Sequence, residues 1–214
     1  MNLFENIISG RVTEAYPTSN GFPLKWCKDL GIGFLPTLGY DYGQEYWERY
    51  NNYVDNGYGV KLSRFRKRFV LENFGEPDNL CDVGIGSGQF VETIKCKGFD
   101  INPYARKWLE EHGNFADPYV DDFSALTFWD VLEHIENPSH LLKKTEKVFL
   151  SIPIHRDVDA CLASKHLRPD EHLWHFTEAG LEFFMSMFGF KLTAKSDEEI
   201  KIGREDIMTY SFSR

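Results

Sequence analysis

Residues 80–90, LCDVGIGSGQF, join an apolar run, an acid and three glycines, a combination typical of a loop that cradles a ligand. Gly84 and Gly86 let the backbone turn tightly and let a bound molecule approach it closely. No Lys-Ser or Lys-Thr pair follows, as a P-loop requires, and Gln89 stands where a dinucleotide fingerprint has its third glycine. The sequence therefore favours a ligand less anionic than a triphosphate or a dinucleotide.

The acid Asp82 indicates the charge of that ligand, because we expect its carboxylate near the mouth of the loop. A pyrophosphate there would meet like charge, at a cost of a few kcal/mol for a separation of ~4 Å and an effective dielectric constant of about 20. S-adenosylmethionine carries a sulfonium and an ammonium against one carboxylate, so the same acid attracts it. The loop thus favours a cationic nucleoside.

A second acid, Asp100, ends the next predicted strand, GFDI at 98–101. From there it can accept charge-assisted hydrogen bonds from both hydroxyls of a ribose, and such bonds are stronger than neutral ones. It would also disfavour a 2′-phosphate. Acid, glycine loop, helix, strand and acid in this order are a more specific signal than either acid alone.

The elements that must position these residues alternate regularly from residue 60 onward. Four runs are predicted as strands: NLCDVG, GFDI, SALTFWD and VFLSIPI. Helices of about ten residues separate them, which predicts βαβ units in a Rossmann-like, doubly wound α/β fold with a mostly parallel sheet. Two further runs, near 190–195 and 206–213, are predicted to form a terminal antiparallel hairpin. In such a sheet, ligands bind at the carboxyl ends of the strands, where the glycine loop lies.

Residues 1–58 differ in texture, since they contain seven of the ten tyrosines and few strand-like runs. In YDYGQEYWERYNNYV, residues 40–54, tyrosines recur on one helical face. The positions are Tyr42, Tyr46, Tyr50 and Tyr53. The segment is either a packing helix or a lid that excludes water and contacts a sulfonium by cation–π attraction through Tyr42, Tyr46 and Trp47. We accordingly divide the chain into a lid, 1–58, and a catalytic domain, 59–214.

Four segments resemble the class I S-adenosylmethionine-dependent methyltransferases. They are LCDVGIGSG, GFDINPYA, FWDVLEHIENP and HLWHFTEAGLEFFMSMFGF. The third is the most specific, because an acid followed by Val-Leu-Glu-His and a nearby proline is typical of the branch with quinone-biosynthesis and small-metabolite enzymes. The resemblance covers roughly residues 60–213. It implies a seven-stranded sheet, S-adenosylmethionine as cofactor and S-adenosylhomocysteine as product.

The resemblance also implies where each residue would act. The loop residues that would contact the methionine part of the cofactor are Gly84, Ile85, Gly86 and Gly88. Asp82 would hold the loop and face the cofactor's amino group. The residues for ribose and adenine would be Asp100, Ile101 and, more weakly, Asp117. Trp129 and Asp130 would lie beside the sulfonium, with Val131 and His134 on the acceptor side. Only 12 positions separate Gly88 from Asp100, which is consistent with a truncated helix.

Histidines offer two further interpretations. His134 either orients or deprotonates an acceptor hydroxyl, since imidazole titrates near neutrality, or is fixed by a hydrogen bond at a helix start. A metal site would draw on His155, His166, His172, His175 and Cys161. Only His172 and His175 are closely spaced, and H-x-x-H-F-T precedes a helix cap, so a loop-anchoring role is favoured and no metal centre is predicted.

Composition limits the partners. The formal net charge of −9 and the pI near 5.3 disfavour a broad nucleic-acid surface. Five cations at 61–68 are either a solvated helix face or a contact for an anionic acceptor. No apolar run approaches the ~18–20 residues of a membrane span, the N-terminus lacks the pattern of a signal peptide, and four scattered cysteines indicate a reducing, cytoplasmic setting.

These features predict methylation of a small-molecule acceptor at oxygen or nitrogen by in-line displacement. Alternatives are methylation of a nucleotide or nucleic acid, and a non-catalytic module that only binds the cofactor. The tetrapeptide INPY at 101–104 resembles an amino-methylating motif, but it follows the second predicted strand, whereas that motif belongs after the fourth. The sequence does not indicate an oligomeric state.

Overall fold

The computed structural model describes residues 2–37, 39–55, 57–76 and 79–214, with only the backbone at 52–55. The N-terminal elements are α1 (Leu3–Ile7), β1 (Glu14–Tyr16), β2 (Leu24–Cys27), β3 (Ile32–Phe34), α2 (Gln44–Asp55) and α3 (Tyr58–Phe74). They are followed by β4 (Leu80–Val83), α4 (Gln89–Ile94), β5 (Lys97–Phe99), α5 (Pro103–Glu111), β6 (Ala125–Trp129) and α6 (Ser139–Lys144). The chain ends with β7 (Lys147–Pro153), α7 (Val158–Ala163), β8 (Trp174–Phe176), α8 (Glu178–Ser186), β9 (Lys191–Ser196), α9 (Glu198–Lys201) and β10 (Ile207–Ser213).

The main sheet has the order β5-β4-β6-β7-β10-β9 among the described residues. The first four strands are parallel, and β10 is antiparallel to both β7 and β9. Every residue of β4 and β6 is buried, as expected for central parallel strands covered on both faces. The predicted Rossmann-like α/β fold and its antiparallel C-terminal strands are therefore confirmed.

The predicted count of seven strands needs correction, because the described residues contribute six to this sheet. Beside β5, where a seventh strand would lie, Phe115 makes a single parallel bridge to Gly98. The chain then turns: Asp117 accepts a hydrogen bond from the backbone N–H of Tyr119, and Pro118 has no N–H to donate. A ladder cannot continue through these residues.

The N-terminal residues build a second sheet, with the antiparallel order β1-β2-β3-β8. Its last strand comes from the C-terminal half of the chain, and β3 pairs with it from Ile32↔Phe176 to Phe34↔Trp174. Residues 2–37 are thus packed into the body of the protein, whereas α2 lies further along the chain. Among the described residues of this range, those that lie at the carboxyl edge of the main sheet come from the segment around α2 and the start of α3.

Two short helices fix the loops at that edge. The helix α4 has six residues and begins after Gly88, which agrees with the truncated helix inferred from the spacing. The helix α5 begins with Pro103, and the Asn102 side chain accepts a hydrogen bond from the backbone N–H of Tyr104, as a capping residue does. The glycine loop and Asp100 consequently emerge side by side.

No helix within the described ranges is both long enough and apolar enough to cross a membrane.

Candidate active site

Two adjoining cavities lie at the carboxyl ends of β4, β5 and β6. The smaller has a volume of about 150 Å³, and ten of the predicted site residues line it. These are Tyr42, Tyr46, Gly84, Gly86, Asp100, Ile101, Trp129, Asp130, Val131 and His134. The larger, of about 580 Å³, shares part of this wall and also contacts Asp82 and Ile85. The structure thus brings together twelve residues that the sequence singled out.

The glycines of the loop are required by its shape. Gly84 and Gly86 have φ values of +75° and +56°, which side chains other than glycine rarely adopt. A Cβ at Gly84 would lie 2.4 Å from Cγ2 of Val131. Gly88 has the same backbone conformation, and a Cβ there would lie 2.5 Å from the Trp108 ring. Gly88 therefore serves the packing of α4 on α5 and lines neither cavity.

Asp100 follows β5 directly and stays on the cavity wall. It accepts a hydrogen bond from the backbone N–H of Asn102 at 2.8 Å. Burial raises the pKa of its carboxyl to about 6, although the backbone N–H groups of Asn102, Ile85 and Gly86 oppose that rise. The carboxylate thus fastens the glycine loop to the second strand while facing the bound molecule.

Asp82 lies inside β4, one residue before its end, and not at the mouth of the loop as the sequence suggested. Its side chain is buried and accepts a hydrogen bond from the Thr127 hydroxyl on β6. Burial raises the pKa of this carboxyl to about 8, against the lowering effects of Thr127 and Arg66. Asp82 is therefore largely neutral at pH 7 in the free protein. It would become charged when a cationic ligand binds beside it.

Asp130 belongs to an ionic network that the sequence did not reveal. Its Oδ2 accepts hydrogen bonds from Arg204 at 2.7 Å and from Arg66 at 3.1 Å. The same two guanidinium groups bind the buried Glu199, through Arg66 Nε at 2.9 Å and Arg204 Nη1 at 2.6 Å. Although burial opposes it, the two guanidiniums hold the pKa of Asp130 below its usual range. Asp130 is therefore committed to two arginines as well as to the cavity wall.

Arg66 was predicted within a cationic helix face, but it is buried. Its burial could have been predicted from the sequence, because Leu62, Arg66 and Phe69 recur at helical spacing on the inward face of α3. Its guanidinium also lies 4.9 Å from the centroid of the Trp129 ring. Arg66 thus links the helix to the end of β6.

His134 ends a 3-10 turn after β6, Leu132–His134, and lines the smaller cavity. Its Nδ1 lies 2.9 Å from the backbone carbonyl oxygen of Glu171 and 3.2 Å from the Tyr42 hydroxyl. Because a carbonyl can only accept, Nδ1 carries the proton in that bond, and Nε2 keeps its lone pair. Burial lowers the pKa of His134, so the ring is neutral at pH 7.

The structure divides the remaining histidines differently from the sequence analysis. His172 lies with Glu133 and His134, and one ligand atom from each lies within 4.8 Å of the others. His155, Cys161 and His175 form a second cluster by the same measure. Both clusters have the geometry to hold a metal ion. Glu133 carried no signal in the sequence beyond its place in the Val-Leu-Glu-His motif.

The tyrosines before and within α2 form one wall of the smaller cavity. Tyr46 and Tyr50 approach to 3.2 Å between their hydroxyl oxygens, and the Arg49 guanidinium lies 4.8 Å from the Tyr46 ring. Tyr50 contributes to both cavities. The side chain of Tyr53, predicted on the same face, lies outside the described residues.

Two predicted contacts lie elsewhere. Trp47 packs against Trp108 on α5, at 6.4 Å between ring centroids, and lines neither cavity. Asp117 binds the backbone of its own turn. Beside it, Tyr119 lines the smaller cavity, together with Phe99. Aromatic side chains therefore occupy the place where the sequence suggested an acid.

The sheet order, the glycine loop and the acid after the second strand define the class I S-adenosylmethionine-dependent methyltransferases. Residues 50–195 match the family described as methyltransferase domain, and the chain belongs to that family. The predicted enzyme class and its cofactor, S-adenosylmethionine, are thereby confirmed. No curated protein sequence matches the chain.

Solved structures show the same fold at low identity. The magnesium protoporphyrin IX methyltransferase of Synechocystis PCC 6803, with bound S-adenosylhomocysteine, is 15% identical, with a TM-score of 0.55, 79% of this chain covered and 93% of that one. The 1,6-didemethyltoxoflavin-N1-methyltransferase of Burkholderia thailandensis, with its acceptor and S-adenosylhomocysteine bound, is 13% identical, with a TM-score of 0.51 and coverages of 94% and 99%. The [4+2]-cyclase SpnF is 12% identical, with a TM-score of 0.50 and coverages of 71% and 81%.

Proposed function

We propose that the chain methylates a small-molecule acceptor at oxygen or nitrogen. The observation that carries this proposal is the pair of adjoining cavities at the carboxyl ends of β4, β5 and β6, which together offer room for the cofactor and, in the larger cavity, for a second molecule. S-adenosylmethionine supplies a methyl group already activated by its sulfonium. The protein's own contribution is alignment of the two reactants and exclusion of water.

The residues around the smaller cavity suit the nucleoside end of the cofactor. Asp100 would accept hydrogen bonds from the ribose, with Ile101 and Tyr119 beside the adenine. The glycine loop and Asp82 face the larger cavity, where the methionine part would lie. The buried indole N–H of Trp129 has no hydrogen-bond partner among the described residues. This supports a bound ligand at this wall that accepts a hydrogen bond from the indole.

We further propose that the acceptor carries an anionic group. The larger cavity is lined by Arg66, Arg168, Arg204 and Lys165, against the acids Asp82, Asp130 and Glu205. Asp82 is held neutral by burial, and Arg168 and Lys165 lie at the exposed rim, each with one acidic partner. A nucleic acid stays the disfavoured alternative because the chain is acidic overall.

The test is calorimetric titration of the protein with S-adenosylhomocysteine, with Asp100→Asn as the diagnostic variant. Losing charge-assisted hydrogen bonds to the ribose should weaken binding about 10- to 100-fold. The wild-type affinity should also fall as the pH drops below about 6, because Asp100, with a pKa of about 6, then takes up a proton. The Asn variant should lack that decline.

Asp117→Asn is the matched control, because Asp117 lies outside both cavities and should leave the affinity unchanged. Equal weakening in the two variants would contradict the assigned ribose contact. Turnover would then be measured on a panel of phosphorylated and carboxylated hydroxy and amino compounds. S-adenosylhomocysteine binding without any methyl transfer would favour the non-catalytic alternative or a different reaction, as the cyclase with this fold performs.

We also retain the lid as a proposal, now confined to the segment around α2. Tyr46→Ala should weaken S-adenosylmethionine binding about 2- to 30-fold through lost cation–π attraction, and should affect neutral-sulfur S-adenosylhomocysteine less. Tyr104→Ala, an exposed tyrosine on α5 outside both cavities, serves as the control. If Tyr46→Ala changed the affinities for S-adenosylmethionine and S-adenosylhomocysteine equally, the Tyr46 ring would not be contacting the sulfonium.

Two other predictions stay as proposals. We divide the chain at residue 58 into a tyrosine-rich segment and the methyltransferase domain. We place the protein in the cytoplasm, because the four cysteines are buried and unbridged, as in a reducing compartment.

A further inference from the structure

Next to His134 in the 3-10 turn after β6 lies Glu133, a buried acid whose surroundings leave it unsatisfied. Glu133 is only 1% exposed, and neither of its carboxylate oxygens has a hydrogen-bond partner among the described residues. Removing an unpaired carboxylate from water is strongly unfavourable. In a native protein such a group either stays protonated or serves a function, such as binding an ion.

Two imidazole rings approach this carboxylate. One carboxylate oxygen of Glu133 and one ring nitrogen each of His134 and His172 all lie within 4.8 Å of one another. The two rings are nearly perpendicular, with centroids 4.7 Å apart. Three possible ligand atoms, from the turn after β6 and from the loop that leads into β8, thus lie close enough together to bind one ion.

The hydrogen bond of His134 prepares it for this role. Because Nδ1 donates to the Glu171 carbonyl oxygen, the ring is fixed in the tautomer that leaves Nε2 unprotonated. Metal-bound histidines are oriented in the same way, by an outer acceptor that holds the other ring nitrogen. Glu171 is also the immediate neighbour of His172, so a single loop positions two parts of the cluster.

We propose that Glu133, His134 and His172 bind a divalent transition-metal ion beside the acceptor. Two imidazoles and one carboxylate match Zn²⁺, Mn²⁺, Co²⁺ or Fe²⁺ better than Mg²⁺ or Ca²⁺, which prefer oxygen ligands. Three protein ligands leave at least one coordination position open. His134 lines the smaller cavity beside Trp129 and Asp130, which also border the larger cavity proposed for the acceptor. An acceptor that reaches this boundary can take the open position.

The metal would favour one kind of nucleophile in the proposed methyl transfer. This role of the metal rests on the proposed function. A divalent cation lowers the pKa of a bound hydroxyl, so the acceptor atom is oxygen. The acceptor O–H bond breaks and its proton leaves to solvent. The O–C bond then forms as the C–S bond breaks with its electron pair staying on sulfur.

The cluster of His155, Cys161 and His175 provides an internal control. It is also buried, and Nε2 of both histidines lacks a partner among the described residues. None of its three residues lines either cavity of the candidate active site. His155 lines a different pocket. Variants at the two clusters can therefore show which one takes up metal.

The experiment treats the purified chain with a chelator, removes the chelator, and titrates Co²⁺ and Mn²⁺ by visible absorption and electron paramagnetic resonance. One ion should bind per chain. Glu133→Gln and His172→Asn should each weaken binding by more than about 100-fold, whereas Cys161→Ser should bind like wild type. Unchanged S-adenosylhomocysteine affinity in all variants would show that they are folded.

The outcomes separate the metal site from the proposed function. No binding of either ion to the wild type, or binding lost only in Cys161→Ser, would overturn the site. Methyl transfer to a hydroxyl acceptor that survives both chelation and His172→Asn would overturn its role. If the wild type did not bind S-adenosylhomocysteine, the proposed function would be contradicted. The metal titration would still test the metal site independently.

Discussion

Glu199→Ala is expected to lower the free energy of unfolding by about 3–5 kcal/mol. Glu199 is fully buried, and its two carboxylate oxygens accept hydrogen bonds from Arg66, Arg204 and the Ser151 hydroxyl. Removing it leaves two guanidinium groups in the interior with Asp130 as their one remaining ion-pair partner among the described residues. Urea denaturation monitored by circular dichroism measures the change.

Two further variants make this result interpretable. Glu110→Ala removes the partner of Arg106 on the exposed face of α5, and should cost no more than about 1 kcal/mol. Glu199→Gln keeps the shape and much of the hydrogen bonding, so its loss of unfolding free energy should lie between those of Glu110→Ala and Glu199→Ala. It also provides the measurement if Glu199→Ala does not fold. A change in Glu199→Ala as small as in Glu110→Ala would mean that the buried network does not support the fold.

Gly84→Ala is expected to reduce S-adenosylhomocysteine affinity by more than about 100-fold and to destabilise the protein. A left-handed backbone costs an alanine about 1–2 kcal/mol, and the new Cβ would lie 2.4 Å from Val131 Cγ2. Either the loop or the end of β6 must move, and both border the cavities. Calorimetric titration and thermal unfolding measure the two effects.

Gly113→Ala is the matched control, because Gly113 has a φ of +67° and an added Cβ would meet nothing within 4 Å in the described part of the chain. It should show the backbone cost alone and leave cofactor affinity intact. The double variant Gly84→Ala, Val131→Ala removes the clashing methyl groups and should recover part of the affinity. Equal behaviour of Gly84→Ala and Gly113→Ala would show that the contact with Val131 is unimportant.

The features that local pattern determines could be predicted from the sequence. Alternating strands and helices specify the main sheet, and glycines at fixed spacing specify a tight loop before α4. The 12 positions between Gly88 and Asp100 leave room only for a short helix, and α4 has six residues. Each of these follows from patterns within one element or between elements that are neighbours along the chain.

The features that depend on distant pairing could not be predicted. Phe115 forms only a bridge because its neighbours turn away, which an apolar residue alone does not indicate. Glu199 pairs with Arg66 across 133 positions, so neither residue identifies the other in the sequence. His172 was grouped with His175 because of their spacing, yet in the extended backbone of β8 and the loop before it they join different clusters.

The pairing of β3 with β8 sets a constraint on how the chain is synthesised. Ile32 leaves the ribosome about 140 residues before Phe176, the residue it pairs with. Until then the edge of β3 and the large side chain of Trp26 on β2 have no lasting cover, and exposed strand edges attract other chains. Expression at reduced temperature or with chaperones that shield nascent chains should therefore raise the yield of folded protein.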